Sequence, residues 1–162
     1  MCGRFILLTD LSAIVDSFNS GMVAEEYMTG SNISPGQQIS AVIQEAKINK
    51  LVNFRWGLIP SWAKDPAISN KMFNARAETV AEKPSFREAF KRRRCLIVAD
   101  GFYEWQKIDR IKKPLRFFLK SGEPFALAGL YENWISPDKE AVRTCTIRSE
   151  EHTSELQSLR LI

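Results

Sequence analysis

The chain has 162 residues, of which 44% are hydrophobic and 26% are charged, and its formal net charge is +4. This length suffices for one domain with a hydrophobic core, and the composition is that of an ordinary globular protein. No apolar run reaches the roughly 18 residues of a transmembrane helix, and the N-terminus does not match a signal peptide. We therefore expect no membrane partner and a cytoplasmic location.

The three cysteines, Cys2, Cys95 and Cys145, lie far apart in the sequence. Their odd number and wide spacing favour a reducing compartment over a disulfide framework. The sequence has no CxxC pair and a single histidine, His152. Because structural metal sites need clustered ligands of these types, we predict no metal and no cofactor.

The predicted elements begin with a short buried strand at residues 5–8. Apolar residues at helical spacing predict a helix after it, for which Thr9 or Asp10 is the expected N-cap. The apolar face of that helix consists of Leu11, Ile14, Val15 and Phe18. Several glycines and a proline make residues 19–38 a predicted loop.

Strand patterns dominate the rest of the chain. Short apolar or alternating runs predict strands at 39–44, 51–54, 95–99, 102–106, 115–119, 125–130 and 142–147. The first two of these pair around a polar turn at 47–50, and a helix is predicted at 84–91. Since strands outnumber helices and lack the spacing of βαβ units, we predict an α+β fold. It is a single domain around a mainly antiparallel, barrel-like β-sheet with a few flanking helices.

Cys2 directly follows the initiator methionine, and Arg4 lies two residues further on. Loss of Met1 would leave one residue with an α-amine and a thiol on adjacent carbons. The amine has an ordinary pKa of about 7.7–8.0, and a basic neighbour favours the thiolate. Such an amine can condense with an aldehyde to an imine, after which the thiol can close a thiazolidine ring. The plain alternative is a small residue at a frayed terminus.

A second candidate is the run at 74–79, which combines an amide, a guanidinium and a carboxylate within six residues. Arg76 suits a bidentate phosphate contact, and Asn74 suits a hydrogen bond to a sugar or a reacting oxygen. The alternative for this run is the polar start of a helix.

The third candidate is Glu104 in a strand rich in aromatic residues. Alternation places Phe102, Glu104 and Gln106 on one face of that strand, with Tyr103 and Trp105 on the other. A carboxylate in such surroundings is a candidate for proton transfer. The alternative is a surface glutamate on a half-exposed strand.

The fourth candidate is the stretch 55–64, in which Trp56 and Trp62 are interleaved with Arg55 and Lys64. This mixture fits stacking on unpaired bases with phosphate contacts alongside. We also expect at least one of the two tryptophans to belong to the core.

Together these stretches resemble the SOS response-associated peptidase (SRAP) family, which senses abasic sites in single-stranded DNA. The matching stretches are 1–5, 55–64, 74–79, 93–105 and 128–134. The resemblance implies the SRAP fold and an abasic-site processing protein of the DNA damage (SOS) response. Such a protein binds single-stranded DNA and forms a covalent thiazolidine DNA–protein crosslink. It is expected to act as a monomer, at the nucleoid during repair or in the nucleus of a eukaryote.

The resemblance also implies roles for individual residues. Cys2 is similar to the nucleophile that loss of Met1 exposes, and Glu104 to a glutamate that shuttles protons. Asn74 is similar to the amide that orients the N-terminus or the sugar. The implied DNA-binding positions are Arg4, Pro35, Trp62 and Arg76.

The end of the sequence departs from the family pattern. The family carries a histidine in a His-x-Arg-Met-Pro segment, and His152, in Glu-Glu-His-Thr-Ser, does not match it. Residues 148–158 resemble the in-frame translation of a sequencing adapter. We therefore expect an SRAP domain at 1–147 that is incomplete at its C-terminus, followed by an artefactual, disordered tail at 148–162.

Two other functional classes stay open. A cysteine peptidase or N-terminal-nucleophile hydrolase could use Cys2, at least to remove Met1 from its own chain. A plain single-strand binding module would bind reversibly and with strong salt dependence. An AP-lyase side activity is expected if the imine forms and ring closure is slow.

Overall fold

The computed structural model describes residues 3–23, 26–108 and 110–150. Strands predominate in this part of the chain, with two α-helices, α1 (Leu11–Ser17) and α2 (Arg87–Arg92), and a 3₁₀ helix at Pro66–Lys71. The strands are β1 (Arg4–Leu7), β2 (Ser20–Val23), β3 (Gly30–Ile33), β4 (Gln38–Glu45), β5 (Ile48–Trp56), β6 (Asn74–Arg76), β7 (Arg94–Ala99), β8 (Gly101–Ile108), β9 (Ile111–Phe117), β10 (Phe125–Ile135) and β11 (Ala141–Ser149).

Five of these strands close a barrel in the order β5–β4–β7–β10–β11, because β11 pairs back onto β5. The closing pair is parallel, and the other four pairs of the ring are antiparallel. Strands β2 and β6 add in parallel to β5 and β11. The prediction of a single β-rich domain around a mainly antiparallel, barrel-like sheet is confirmed.

A second sheet, in the order β3–β1–β8–β9, packs against the barrel. Phe5 and Leu7 of β1 share one buried cluster with Trp56 and Ile97 of the barrel. The rings of Phe5 and Trp56 lie 5.3 Å apart, within the range of favourable aromatic contacts. One continuous core therefore fixes the N-terminal strand to the barrel.

The β4–β5 pairing is predicted correctly, but its turn is not. The observed turn is Ala46-Lys47, with φ values of 49° and 67°, and Glu45 pairs with Ile48. Two consecutive positive φ values are typical of a two-residue hairpin turn whose twist matches the strands. The prediction placed the turn at 47–50 because three of those four residues are polar, whereas Lys50 belongs to β5 and its Nζ donates to Glu45 at 2.7 Å.

Two strands lie in the segment 19–38 that was predicted to be a loop. Strand β2 pairs with β5, and β3 pairs with β1, placing Ile33 opposite Phe5. Neither segment has high intrinsic strand propensity, since β3 reads Gly-Ser-Asn-Ile. Pairing with a neighbouring strand overrides the local preference here.

The predicted N-cap of α1 is only half right. Asp10 occupies the N-cap position with extended backbone angles, but its side chain makes no capping hydrogen bond. The hydroxyl of Thr9 donates instead to Asp100 at 2.7 Å. Neither candidate side chain therefore caps the helix, and the Thr9 hydroxyl makes a tertiary contact instead.

The remaining boundaries differ by a few residues from the prediction. Helix α2 begins at Arg87, and β9 begins at Ile111, so most of the residues between the strands predicted at 102–106 and 115–119 belong to the β8–β9 hairpin. Strand β11 includes Arg148 and Ser149. The division at residue 147 stays a prediction, because residues 151–162 lie outside the described part. Among the described residues, no helix is long and apolar enough to span a bilayer.

The partly buried phenol of Tyr27 makes the stability of the folded protein depend on pH in the alkaline range. Burial, with smaller contributions from the carboxylates of Asp100 and Asp10, raises the pKa of Tyr27 to about 12. The folded state therefore holds the phenol proton that the unfolded chain releases at its ordinary pKa of about 10. The stabilisation is present below pH 10 and is lost as the pH rises toward 12.

We expect Tyr27→Phe to flatten this alkaline decline. The melting temperature of both proteins should be followed by circular dichroism from pH 8 to pH 12. Parallel curves for the two proteins would contradict the assignment of the decline to Tyr27.

Candidate active site

Cys2 lies outside the described residues, so its surroundings are defined by the strand that follows it. In the antiparallel pair of β1 and β8, Arg4 lies opposite Tyr103 and Phe5 opposite Phe102. The paired residues end at Arg4 and Tyr103, and the next residues along the two strands are Gly3 and Glu104. The strand that carries the predicted proton shuttle therefore runs beside the N-terminal segment.

The two faces of this strand pair differ in character. Phe5 and Phe102 belong to the buried core, and alternation puts Glu104 on the same side, where it is half-buried. Arg4 and Tyr103 lie on the opposite side. The structure thus places two of the sequence-predicted residues, Arg4 and Glu104, on different faces of one sheet.

Glu104 is next to an aromatic cluster at the end of the core. The ring of Phe102 stacks on Phe117 with centroids 5.1 Å apart and an interplanar angle of 11°. Phe125 meets Phe102 edge-on at 6.4 Å. The alternation predicted for residues 102–106 agrees with this packing, and it leaves the carboxylate at the boundary between core and solvent.

Trp56 connects the N-terminal strand to the strand that carries Asn74. Its indole Nε1 donates to the carbonyl oxygen of Phe73 at 2.8 Å, and the two rings are 6.3 Å apart. The same indole contacts Phe5, the residue after Arg4. Because Trp56 is buried between these partners, it holds the start of β6 close to β1.

Asn74 and Arg76 belong to a strand and not to the helix start that was considered as an alternative. Asn74 pairs with Ile147 and Arg76 with Ser149, both in β11. Asn74 is half-buried with its amide oxygen inaccessible to solvent, and Arg76 is exposed. Ala75 between them faces a separate buried cluster, so the amide and the guanidinium share the other face.

The turn that contains Pro35 is hydrogen-bonded to the backbone of Trp56 through its next two residues. Pro35 and Gly36 form a turn between β3 and β4, and Gly36 has a φ of 91°, which favours glycine. The N–H of Gly36 donates to the carbonyl oxygen of Trp56 at 2.7 Å, and the N–H of Trp56 donates to the carbonyl oxygen of Gln37 at 2.9 Å. Trp56 therefore contacts the segments that carry three predicted residues, whereas the sequence suggested for it either stacking on a base or a place in the core.

Trp62 lies in a loop with its own packing. Its side chain is 60% exposed and borders an open groove of about 620 Å³, together with Lys64 and Lys71. The loop is fixed by the indole of Trp134, which donates to the carbonyl oxygen of Ala63 at 2.7 Å. Of the two tryptophans in this stretch, one is in the core and the other is free to contact a ligand.

Arg4 borders a second open cavity on the outer face of the smaller sheet. Its Nη1 donates to Oδ1 of Asn32 at 3.0 Å. This cavity has a volume of about 520 Å³ and is lined by Arg4, Ser31, Asn32, Tyr103, Trp105 and Pro114. No sequence pattern indicates Asn32, because its contact with Arg4 depends on the pairing of β3 with β1.

The family model for "SOS response associated peptidase (SRAP)" matches residues 1–160 of the chain. The chain belongs to the SRAP family. Its identity to "Abasic site processing protein YoqW" of Bacillus subtilis (strain 168) is 48% over 150 residues, covering 91% of this chain and 67% of the relative. A second B. subtilis relative, "Abasic site processing protein YoaM", is 47% identical over 154 residues, covering 93% and 68%.

A solved structure supports the fold of this SRAP protein. A crystal structure of a protein from Bacteroides thetaiotaomicron superposes with a TM-score of 0.80 at 20% sequence identity. The match covers 99% of this chain and 75% of the other. At this identity the likeness concerns the fold alone.

The two described cysteines of the SRAP domain are chemically inert. Burial raises the pKa of Cys95 to about 12, and burial together with the neighbouring Cys95 raises the pKa of Cys145 well above its ordinary value. Both thiols are therefore protonated near neutral pH and poor nucleophiles. Within the described ranges, no group of three or more His, Cys, Asp or Glu side chains could hold a metal ion.

Trp56→Phe is expected to destabilise the SRAP domain. Phenylalanine cannot donate to the carbonyl oxygen of Phe73, which would keep only the N–H of Ile147 at 3.1 Å, and the loss of one hydrogen bond costs about 0.5–1.5 kcal/mol. Urea unfolding followed by fluorescence measures the change. Trp62→Phe serves as the matched control, because its exposed indole should contribute little to stability. Equal unfolding midpoints for the two variants would contradict the central role of Trp56.

Proposed function

We propose that this protein processes abasic sites in single-stranded DNA by forming a thiazolidine crosslink through Cys2. The observation that carries the proposal is the pairing of β1 with β8, in which Arg4, two residues after Cys2, lies opposite Tyr103, the neighbour of Glu104. The names of its B. subtilis relatives, both abasic site processing proteins, support the same substrate.

The chemistry follows from the aminothiol of a processed N-terminus. An abasic deoxyribose in its open form has an aldehyde at C1′. The α-amine of Cys2 adds to that carbon and one water leaves, which gives the imine. The thiol sulfur then adds to the same carbon while its proton passes to the nitrogen, and a five-membered ring closes. Atoms and electrons balance without an external oxidant or cofactor.

Glu104 is proposed to move the protons that these steps require. Imine formation needs a group that protonates the departing hydroxyl, and ring closure needs one that accepts the thiol proton. A half-buried carboxylate beside the N-terminal segment can do both in turn. Asn74, which Trp56 and Phe73 place near β1, is proposed to orient the N-terminus or the sugar by hydrogen bonds.

The position of Arg4 favours single-stranded DNA over duplex DNA as the substrate. Arg4 and Glu104 lie on opposite faces of the β1–β8 pair, so DNA that touches both must bend sharply around the N-terminus. Duplex DNA resists such bending, with a persistence length of about 50 nm, whereas a single strand does not. Arg76 and Arg4 would bind phosphates, Pro35 would line the pocket, and exposed Trp62 would stack on an unpaired base.

The proposal is tested on a denaturing gel. The chain, with loss of Met1 verified by intact mass, is incubated with an oligonucleotide that carries one abasic site. We expect a shifted band that survives denaturation. The matched control is the same oligonucleotide after borohydride reduction, which converts the aldehyde to an alcohol and should give no band. A folded chain without Met1 that gives no shifted band would contradict the proposal.

A further inference from the structure

Asp100 ties the strand that follows Cys2 to the strand that carries Glu104. One oxygen of its carboxylate accepts the backbone N–H groups of Leu8 and of Thr9, the latter at 2.9 Å. The other oxygen accepts the Thr9 hydroxyl at 2.7 Å. The backbone N–H of Asp100 itself donates to the carbonyl oxygen of Ile6 at 2.7 Å.

These bonds lie where the β1–β8 pair needs support. Strand β1 has four residues, and Arg4, Phe5 and Ile6 pair with β8. Asp100 stands directly before β8, at the point where the pair would otherwise fray. The hydroxyl of Tyr27 adds to the corner by donating to the carbonyl oxygen of Thr9 at 2.8 Å. Four hydrogen bonds of Asp100 thus support a strand pairing that consists of only three residue pairs.

A carboxylate suits these donors best. Asparagine could keep the two backbone N–H groups on its oxygen only by turning its NH₂ group to the Thr9 hydroxyl, which would then have to accept, and all of these bonds would lose the charge of the carboxylate. A neutral substitution would therefore loosen the corner while conserving its volume.

We infer that Asp100 is a positioning residue for the crosslinking reaction, an inference that rests on the proposed function. It fixes the register of β1 against β8, and through it the distance from the N-terminal aminothiol to Glu104. Register matters because a slip of one residue would turn Phe5 out of the core and reverse both faces of β1. A much smaller displacement already affects chemistry, since about 1 Å of misplacement can cost about 100-fold in rate.

The test compares Asp100→Asn with the unchanged chain at a temperature where both are folded. Two quantities are measured: the single-turnover rate of crosslinking and the Kd for DNA with an uncleavable tetrahydrofuran abasic analogue. We expect crosslinking to slow by about 10- to 100-fold from misplacement. The Kd should not change, because binding of the analogue does not need the aminothiol aligned with Glu104.

Ser136→Ala is the matched control for a general loss of stability. Its hydroxyl accepts the backbone N–H of Glu140 at 3.0 Å, in a turn between β10 and β11. This variant should crosslink at the unchanged rate. Thr9→Val removes a single donor of the corner with little change in shape, and we expect a smaller decrease in the crosslinking rate. It keeps the inference testable if Asp100→Asn does not fold.

The outcomes separate the inference from the proposed function. An Asp100→Asn variant with a lowered melting temperature and an unchanged crosslinking rate would show that the corner is structural only. Equal decreases in crosslinking and in DNA affinity would likewise overturn the positioning role. Absence of crosslinking by the unchanged chain would instead reject the function on which the inference rests.

Discussion

Replacement of Cys2 by alanine is expected to abolish the stable crosslink to abasic DNA without weakening DNA binding. Alanine keeps the α-amine, so the imine can still form, but it has no thiol to close the ring. The imine hydrolyses on denaturation, whereas the thiazolidine does not. A denaturing gel, run beside a binding measurement on the tetrahydrofuran analogue, records both quantities.

Cys95→Ala is the control for this experiment. The Cys95 thiol is buried and its pKa is raised to about 12, so the variant should crosslink as the unchanged chain does. A denaturation-stable adduct in Cys2→Ala would contradict the proposed chemistry. The alanine variant also tests strand scission, because an imine acidifies the adjacent carbon of the sugar. A cleavage product that increases in this variant would support the AP-lyase side activity.

Cys2→Ser separates the crosslinking enzyme from a peptidase. An N-terminal serine can still attack a peptide carbonyl, as in other N-terminal-nucleophile hydrolases. With an abasic aldehyde it can form only an oxazolidine, which is far less stable than a thiazolidine. We expect Cys2→Ser to lose the crosslink, while retention of peptide cleavage would favour the hydrolase. Reversible, salt-sensitive binding without any crosslink in the unchanged chain would favour a plain binding module.

Glu104→Gln is expected to slow crosslinking by about 10²- to 10⁴-fold, the usual contribution of a positioned general acid–base. Glutamine has nearly the same shape and can form hydrogen bonds, but it cannot take up and release a proton. The single-turnover rate of the gel-shifted band is the measured quantity.

Glu45→Gln is the matched substitution elsewhere in the protein. Glu45 is an exposed carboxylate at the β4–β5 turn, paired with Lys50 at 2.7 Å. This variant should crosslink at the unchanged rate, because exposed ion pairs contribute little to stability. If Glu104→Gln crosslinked as fast as Glu45→Gln, Glu104 would have no role in proton transfer.

The sequence predicted well those features that depend on neighbouring residues. Alternation alone placed Phe102 and Glu104 on the same face, and the two strands at 39–44 and 51–54 pair as expected. Strand β3 was missed because its Gly-Ser-Asn residues carry no strand signal, and only pairing with β1 makes them extended.

Long-range contacts account for what the sequence could not predict in the site. The role of Trp56 depends on Phe73, 17 residues away, and that of Asp100 on Thr9, 91 residues away. No local pattern distinguishes either residue from an ordinary core aromatic or turn aspartate. The run at 74–79 has helix-like polarity, yet its first three residues form a strand because β11 offers them a partner.

The position of β11 in the barrel has a consequence for synthesis on the ribosome. Strand β11 closes the ring by pairing with β5 and also holds β6, the strand of Asn74 and Arg76. Residues 141–149 form the last of the described strands to be translated, and contacts between distant segments form slowly. If Met1 is removed while the chain grows, the aminothiol forms before Asn74 is in place. The groups proposed to direct it to DNA then assemble only once the barrel is closed.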